Sequence, residues 1–325
     1  MSDSKSLERP KTIPGVGVGH ASDFKGLTGC TVVLAEAGAV CGVDIRGSAS
    51  GTREIEACRP GHIAERVHGI LLAGGSAFGL DAAAGVIQYL EGRGAGFPAG
   101  KSRIPIVPAA VIFDLDLGSA KARPNAGMAA WACQNASRAV AEGSVGAGTG
   151  ATVGKILGIR HATKGGVGFE SMMLPKGVAV QALAVVNAFG DVVDPWTGKV
   201  IAGARLGPES GGFASTEQLM FRGKMRRVFS PSNTTLVVVL TNAALEKVQA
   251  GKLAEMAQDG LARAIRPVHT MFDGDAVFAL ALGEKRADVS VLGAAAAEVT
   301  AGAIVRAVTM ARGLGNVPGC KDLPG

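Results

Sequence analysis

The sequence predicts an α/β protein in which helices cover a buried sheet. Several apolar runs bounded by glycine are typical of buried strands, and four longer segments carry apolar residues at helical spacing. Helices that cover buried strands form layered α/β structures. The 325 residues are 47% hydrophobic and only 18% charged, so the chain can bury a sizeable core and lacks the composition of a disordered protein.

The predicted strands are apolar and mostly lack alternation, which indicates burial on both faces. Their ranges are 30–35, 39–45, 69–73, 106–113, 178–189, 234–241 and 276–282. The predicted helices span 77–91, 126–141, 245–265 and 289–311. The sequence contains neither a fixed-period repeat nor a low-complexity linker, so we expect a single domain over residues 1–325.

The segment 195–231 has the weakest periodicity and is the richest in Gly, Arg and Ser. It is therefore the best place for a break in the chain. Its basic residues form the only dense cluster behind the net charge of +6: Arg222, Lys224, Arg226 and Arg227. No aromatic residues are interleaved with them, so a solvated loop is the simpler interpretation and nucleic acid is not an expected partner.

Cysteine and histidine patterns indicate neither a metal nor a cofactor. The five cysteines form no CxxC pair and are too few for a disulfide framework, so we expect reduced, mostly buried thiols. The five histidines show no paired spacing and are expected to be structural. They are His20, His62, His68, His161 and His269.

Residues 1–11 are polar and lack the apolar core of a signal peptide. No uncharged run reaches the roughly 18 residues of a membrane span. We therefore expect a cytoplasmic protein with no membrane partner.

A glycine-rich stretch over 146–155 superficially resembles a phosphate loop. Thr149 and Ile156 stand where that motif requires Gly and Ser or Thr, and Val153 replaces the last Gly of a dinucleotide fingerprint. What remains is a turn that presents Lys155 between apolar neighbours. Such a lysine either extends its charge to solvent or places a cation in a dry site, where it stabilises negative charge.

Residues 74–79, GGSAFG, approach the nucleophile-elbow pattern of a serine hydrolase. The pattern fails by one residue, because Phe78 stands where the second Gly belongs. Ser76 is therefore expected to cap a helix or to belong to the backbone of a substrate site, with a Ser76 triad as an alternative.

Three polar residues stand beside or within apolar runs. Asp273 and Asp275 flank Gly274 just before a predicted strand, where they form either a solvated turn or a pair of acceptors for an amine or a hydroxyl. Asn187 lies within an apolar stretch and must find hydrogen-bond partners there, at a cost of about 1–3 kcal/mol if it does not. It is either a structural amide or an oxyanion donor.

A hydroxyl residue opens the predicted strand 234–241, within the tetrapeptide Ser232-Asn233-Thr234-Thr235. If the Asn233–Thr234 bond breaks, Thr234 becomes an N-terminal residue whose α-amine, with a pKa of about 7.7–8.0, can serve as its base. The Thr234 hydroxyl would attack the Asn233 carbonyl in an N-to-O acyl shift, and water would hydrolyse the ester. The alternatives are a simple strand opening and cleavage before Thr235.

Eight segments together give the chain a family resemblance. They are 16–20 (VGVGH), 42–47 (GVDIRG), 51–54 (GTRE), 72–84, 105–114, 146–155, 184–190 and 233–242. Over nearly its whole length the chain resembles the self-processing DmpA and β-peptidyl aminopeptidase family of N-terminal-nucleophile hydrolases. It is most similar to the NylC-type branch, which hydrolyses 6-aminohexanoate (nylon) oligomers by endo cleavage.

The resemblance implies a four-layer αββα sandwich with the nucleophile at the start of a central strand. It implies that Thr234 is the nucleophile, that Lys155 lies beside it and that Asn187 is the oxyanion donor. It further implies that Asp273 and Asp275 position the threonine.

A single catalytic domain would then mature into a larger piece, 1–233, and a smaller piece, 234–325, assembled as tetramers of processed units. The substrate would be a small linear amide or peptide, most simply a 6-aminohexanoate oligomer. The alternatives are an aminopeptidase, amidase or esterase that acts on L-, D- or β-amino-acid N-termini, and a non-catalytic small-molecule-binding protein.

Overall fold

The computed structural model describes residues 9–207, 210–224 and 233–324. In chain order, the strands of these residues are β1 (Gly17–Asp23), β2 (Thr28–Ile45), β3 (Thr52–Arg53), β4 (Val67–Ala73), β5 (Phe97–Ala99), β6 (Ser102–Ile104), β7 (Ala109–Val111), β8 (Thr152–Val153), β9 (Thr163–Lys164), β10 (Gly166–Leu174), β11 (Val178–Asn187), β12 (Asp191–Val193), β13 (Val200–Ala202), β14 (Thr234–Ala243), β15 (Ile265–Arg266) and β16 (Ala276–Lys285). The α-helices are α1 (Ala83–Gly92), α2 (Ala126–Gln134), α3 (Thr216–Phe221), α4 (Lys247–Ala264) and α5 (Val289–Thr309).

The long strand β2 joins the two layers of the main sheet, which we call leaves: β10, β11, β14 and β16 lie on one side of it, and β4, β7 and β3 lie on the other. Its first half pairs with β1 and β4, and its second half pairs with β16. The register shifts between Leu34 and Ala39, where Gly38 adopts a φ of +84°. A glycine at positive φ is typical of a bulge, which bends the strand. The two predicted strands 30–35 and 39–45 are therefore one bent strand.

The strands form a path β10-β11-β14-β16-β2-β4-β7-β3, with β1 paired to β2 at the side. The β14–β16 and β4–β7 pairs are parallel, and the other neighbours on this path are antiparallel. The strand β14 therefore lies inside its leaf, between β11 and β16. Its first residue, Thr234, pairs with β11, and the pairing with β16 begins at Leu236.

Buried side chains fall into three main layers. One cluster lies between the leaves and includes Leu72, Phe169, Leu236 and Phe278. A second packs α4 and α5 on the outer face of the β10–β16 leaf, and a third packs α1 and α2 on the outer face of the β4 leaf. The order helix, sheet, sheet, helix confirms the expected αββα sandwich.

The principal helices begin where their side chains satisfy free backbone N–H groups. Glu246 and Gln249 form a capping box at the start of α4, and the Asp288 side chain accepts two N–H bonds at the start of α5. The helix α5 is long and apolar enough to cross a membrane by composition, but 67% of that window is buried inside the protein. It is the core helix that packs on the sheet.

Three predicted elements are shorter than expected. Strand 106–113 is reduced to β7, because Pro108 lacks the N–H that a ladder requires. Helix 126–141 ends at Gln134, after which Ser137 and Ala139 form bridges with the N-terminal segment. Helix 77–91 begins as a 3₁₀ turn over Ser76–Ala82 and becomes α1 only at Ala83.

Candidate active site

Three segments of the β10–β16 leaf meet at the start of β14. Thr234 is its first residue and pairs in register with Asn187, the last residue of β11. Asn233 forms a parallel bridge with Asp273, which leads into β16. Directly paired residues of neighbouring strands lie on the same face, so the sheet itself brings Thr234 and Asn187 together.

The Thr234 hydroxyl lies beside the peptide bond that precedes it. Its Oγ1 donates to the Asn233 carbonyl oxygen at 2.5 Å, and the Gly274 N–H donates to the same oxygen at 2.9 Å. A Cβ on Gly274 would lie 2.9 Å from the Thr234 Oγ1 and 2.7 Å from the Ala49 carbonyl oxygen. Only glycine allows this turn to approach the hydroxyl so closely.

Thr235 does not share this environment. Successive side chains of a strand point to opposite faces, and Thr235 pairs with Val186, whereas Thr234 pairs with Asn187. Its Oγ1 is buried without a hydrogen-bond partner among the described residues. This geometry favours Thr234 over Thr235 as the reactive hydroxyl.

Lys155 contacts the residue opposite Thr234. Its Nζ donates to the Asn187 carbonyl oxygen at 3.0 Å and to the Asn187 Oδ1 at 2.8 Å. Burial lowers the pKa of Lys155 to about 7, against the opposing effect of the Asp273 carboxylate. The lysine is partly buried and directed inward to Asn187, which contradicts the alternative of a side chain that extends its charge to solvent.

Further bonds fix the Asn187 side chain. Its Oδ1 also accepts the Thr152 N–H at 3.0 Å, and its Nδ2 donates to the Phe113 carbonyl oxygen at 3.0 Å. The amide is fully buried. The expected buried amide thus has its partners, and it links the glycine-rich segment to the strand opposite Thr234.

A second lysine supports the glycine-rich segment. The Nζ of Lys164 donates to the carbonyl oxygens of Gly148, Thr149 and Ala151 at 3.3, 2.9 and 2.6 Å. The Lys164 side chain is fully enclosed, and burial lowers its pKa to about 7. The turn that presents Lys155 is therefore held from within by the Lys164 side chain.

The two carboxylates are buried, so the alternative of a solvated turn is wrong. Asp273 accepts the Phe189 N–H at 3.1 Å and both the N–H and the hydroxyl of Thr270 at 3.2 and 2.5 Å. Burial and the neighbouring Asp275 carboxylate raise the pKa of Asp273 to about 6.

Asp275 connects the strand start to a histidine. Its Oδ1 accepts the Thr235 N–H at 2.7 Å, and its Oδ2 accepts the N–H and the Nδ1 of His269 at 3.2 and 2.8 Å. The acidic turn is thus saturated with donors, and it holds the strand that carries Thr234.

A cavity of about 440 Å³ opens at Thr234. Its described lining carries no ionisable side chain and consists of Ser48, Ala49, Ser50, Gly51, Ser76, Ala77, Val111, Phe113, Thr234 and Met271. Ser76 adopts a φ of +54° and its side chain does not cap the 3₁₀ turn, whose N-cap is Gly75. The capping role is therefore wrong, and Ser76 belongs to the wall of this cavity.

The remaining candidates lie apart from Thr234 or outside the described residues. No group of three or more metal-ligating side chains occurs within the described ranges. His20, His62, His68 and His161 each hydrogen-bond within their own neighbourhoods, and the cysteines are free thiols. Arg222 and Lys224 are exposed, whereas Arg226, Arg227 and Ser232 lie outside the described part of the chain.

Four supporting residues could not be recognised from the sequence in these roles. Gly274 supplies an N–H to the Asn233 carbonyl, Thr270 and His269 bind the two carboxylates, and Lys164 holds the turn. The only available signal was the Gly between two Asp residues. The N–H of this glycine donates to the carbonyl oxygen of the peptide bond that precedes Thr234.

The sequence model of peptidase family S58 matches residues 12–321. An uncharacterized aminopeptidase of Mycobacterium leprae is 41% identical over 350 residues, covering 96% of this chain and 93% of its own. The 6-aminohexanoate-oligomer endohydrolase of Paenarthrobacter ureafaciens is 31% identical over 316 residues, covering 90% and 84%.

Two solved structures share the fold. The L-aminopeptidase D-Ala-esterase/amidase of Ochrobactrum anthropi, described as a variant of the Ntn hydrolase fold, superimposes with a TM-score of 0.71 at 17% identity over 94% of this chain and 86% of its own. A Burkholderia sp. β-aminopeptidase gives a TM-score of 0.65 at 23% identity over 94% and 89%. At these identities the likeness shows the fold alone.

Proposed function

The chain belongs to peptidase family S58 and is a hydrolase of amide or peptide bonds, and from that premise we propose that it breaks its own Asn233–Thr234 bond and then uses Thr234 as the nucleophile. The observation that carries this proposal is the position of the Thr234 hydroxyl, 2.5 Å from the Asn233 carbonyl oxygen. Family membership decides against a non-catalytic binding protein.

In the first step the Thr234 Oγ bonds to the Asn233 carbonyl carbon and gives up its proton, the C–N bond breaks, and the nitrogen takes up that proton to become the free α-amine. The product is an ester, which water hydrolyses to release the Asn233 carboxylate. Negative charge develops on the Asn233 carbonyl oxygen in this step. The Gly274 N–H already donates to that oxygen at 2.9 Å, as a donor to a developing oxyanion must.

In the second step the new α-amine accepts the hydroxyl proton as Thr234 attacks a substrate amide. The leaving amine departs protonated, and water hydrolyses the acyl-enzyme. Asn187 lies on the opposite strand and Lys155 is hydrogen-bonded to it, so that an ammonium and an amide there would stabilise the developing charge. Asp273 and Asp275 would hold the start of β14 through both steps.

The cavity supports a linear aliphatic amide whose uncharged middle part lies beside Thr234. A buried ammonium requires a paired acceptor, and the described lining offers only hydroxyl, backbone and apolar groups. This supports endo cleavage of a 6-aminohexanoate-type oligomer, which matches the name of the relative at 31% identity. Assembly as tetramers of processed units stays a prediction.

Aminopeptidase activity is the second candidate. It is favoured by the higher identity, 41%, to relatives named as aminopeptidases. The candidates differ in whether the substrate needs a free N-terminal amine. A 6-aminohexanoate trimer with an acetylated amine is cleaved by an endo enzyme and resists an aminopeptidase, so the capped and free trimers should be compared beside L-, D- and β-amino-acid amides.

Maturation is tested by intact mass and N-terminal sequencing of the purified protein. We expect fragments of residues 1–233 and 234–325, the smaller beginning at Thr234. An active preparation that stays full length after prolonged incubation contradicts the mechanism. A fragment beginning at Thr235 moves the nucleophile by one residue.

The matched variants are Thr234→Ala and Thr235→Ala, because the two hydroxyls are neighbours on opposite faces of one strand. We expect Thr234→Ala to remain full length and inactive and Thr235→Ala to process. Thr234→Ser retains the hydroxyl and should process as well. An active Thr234→Ala variant would contradict Thr234 as the nucleophile and leave Ser76 as the alternative. If the Ser76→Ala variant were then inactive, the protein would be a serine hydrolase.

A further inference from the structure

His269 lies in an unusual backbone conformation at the acidic turn. Its φ is +54°, a region that residues other than glycine seldom adopt and that Asn tolerates better than most. Such conformations persist where surrounding bonds enforce them, and they cluster at functional sites. Here two of those bonds are known: the His269 N–H and Nδ1 both donate to the Oδ2 of Asp275.

The Asp275 carboxylate transmits this contact to the strand of the nucleophile. Its other oxygen accepts the Thr235 N–H at 2.7 Å, and that N–H belongs to the peptide bond that follows Thr234. A carboxylate oxygen accepts hydrogen bonds, so the imidazole Nδ1 is taken as the donor of this contact. The chain of contacts therefore runs from His269 through Asp275 to the first peptide of β14.

The other nitrogen of the His269 ring, Nε2, has no hydrogen bond to a described residue that competes with the contact to Asp275. The His269 Nε2 is buried and meets no hydrogen-bond partner among the residues that the structure describes. A buried polar atom left in this way is destabilising. Within the described chain, the imidazole thus directs its one polar bond to Asp275.

We propose that His269 is a positioning residue for the nucleophile, which holds Asp275 in the orientation that accepts the Thr235 N–H and so fixes Thr234 beside the Asn233 carbonyl. It touches neither the substrate nor the scissile bond. This inference rests on the proposed role of Thr234. It adds a side chain to the site on the basis of two hydrogen bonds, a strained backbone and a buried ring nitrogen.

The test compares His269→Asn with His269→Gly in the full-length chain. Both residues tolerate positive φ, and both variants keep the backbone N–H to Asp275. Only Asn places a side-chain N–H where the imidazole Nδ1 stood. The rate of fragment formation is followed by gel and mass spectrometry, with melting temperatures measured for both variants.

We expect His269→Gly to mature about ten- to a hundredfold more slowly than the wild type, which is the range for loss of one hydrogen bond to a charged group. We expect His269→Asn to mature within about threefold of the wild type. If the two variants mature at equal rates, His269 only fills space and the proposal is overturned.

A second measurement does not depend on cleavage. In Thr234→Ala protein, hydrogen exchange of the Thr235 amide should be about tenfold faster with His269→Gly than with His269→Asn. If the wild type never matures and this difference persists, the proposed function fails while the positioning role of His269 is supported. Equal exchange in the two variants overturns the positioning role, whatever the outcome for maturation.

Discussion

Lys155 and Lys164 lie nine residues apart in the chain, and their hydrogen bonds differ in a way that distinguishes the proposed reactive site from the structure that supports it. Burial lowers the pKa of both lysines to about 7. Lys164 donates hydrogen bonds to three carbonyl oxygens of the glycine-rich segment, whereas Lys155 donates to Asn187 on β11. A lowered pKa therefore does not distinguish the two lysines, whereas the location of their hydrogen-bond partners does, and it is the basis for proposing a functional role for Lys155 alone.

Removal of each lysine would also have a different consequence for the residues that it contacts. Without Lys164, three buried carbonyls lose a donor and the segment that presents Lys155 loosens. Without Lys155, Asn187 retains its bonds to Thr152 and Phe113, and the loss falls on the charge available opposite Thr234. Substitution of Lys164 should therefore mainly lower stability, and substitution of Lys155 should mainly lower activity.

The largest expected effect is on the activity of Lys155→Met. Methionine retains the volume and the flexible stem but removes the charge, so a developing oxyanion loses a nearby cation. We expect kcat to fall by about 10²–10³-fold, comparable with removal of one oxyanion donor. The measurement is kcat per matured molecule, together with urea unfolding. A variant that keeps its activity would make Lys155 a second structural lysine.

Lys164→Met should show the opposite pattern. Removal of one partner from a buried charged network leaves acceptors unsatisfied, and we expect the free energy of unfolding to fall by about 3 kcal/mol. The fraction that remains folded should keep kcat within about threefold of the wild type. Urea unfolding measures the free energy of unfolding, and active-site titration gives kcat per active molecule. A large fall in kcat without destabilisation would contradict a purely supporting role for Lys164.

The sequence predicts the layers of this protein better than the contacts of its site. Long apolar strands such as 178–189 and helices such as 245–265 are recognisable because burial sets their periodicity. Thr234, Lys155 and Asn187 could be grouped only through a family resemblance, because they are separated in sequence: strand register pairs Thr234 with Asn187, and a long side chain brings Lys155 to Asn187. The roles of Lys164 and His269 depend on hydrogen bonds to distant atoms, which no local pattern encodes.

The alkaline pH dependence of stability tests whether Lys164 is neutralised by burial. In the unfolded chain a lysine has a pKa of about 10.4, and in the folded protein burial lowers the pKa of Lys164 to about 7. Between these values the unfolded state binds the extra proton, so the free energy of unfolding rises with pH. The slope is on the order of 1 kcal/mol per pH unit for one lysine.

The wild type should therefore gain stability relative to Lys164→Met as the pH rises from 7 to 9. Urea unfolding of both proteins at each pH gives the difference directly. Parallel profiles would mean that the three carbonyls keep the ammonium charged in spite of its burial. The same comparison with Lys155→Met shows whether the two sites differ in protonation as well as in partners.

The smallest expected effect comes from Thr163→Val, beside Lys164 in β9. The Thr163 Oγ1 donates to the Gly203 carbonyl oxygen at 2.7 Å in a buried site, and valine keeps the shape while it removes the donor. We expect a loss of about 1 kcal/mol in the free energy of unfolding and an unchanged kcat. Thr163 neighbours Lys164, but its hydroxyl bonds to Gly203 and not to Asn187. A fall in kcat for this variant would therefore show that the structure around Lys164 and the proposed reactive site are coupled. It would contradict the assignment of stability to Lys164 and of activity to Lys155.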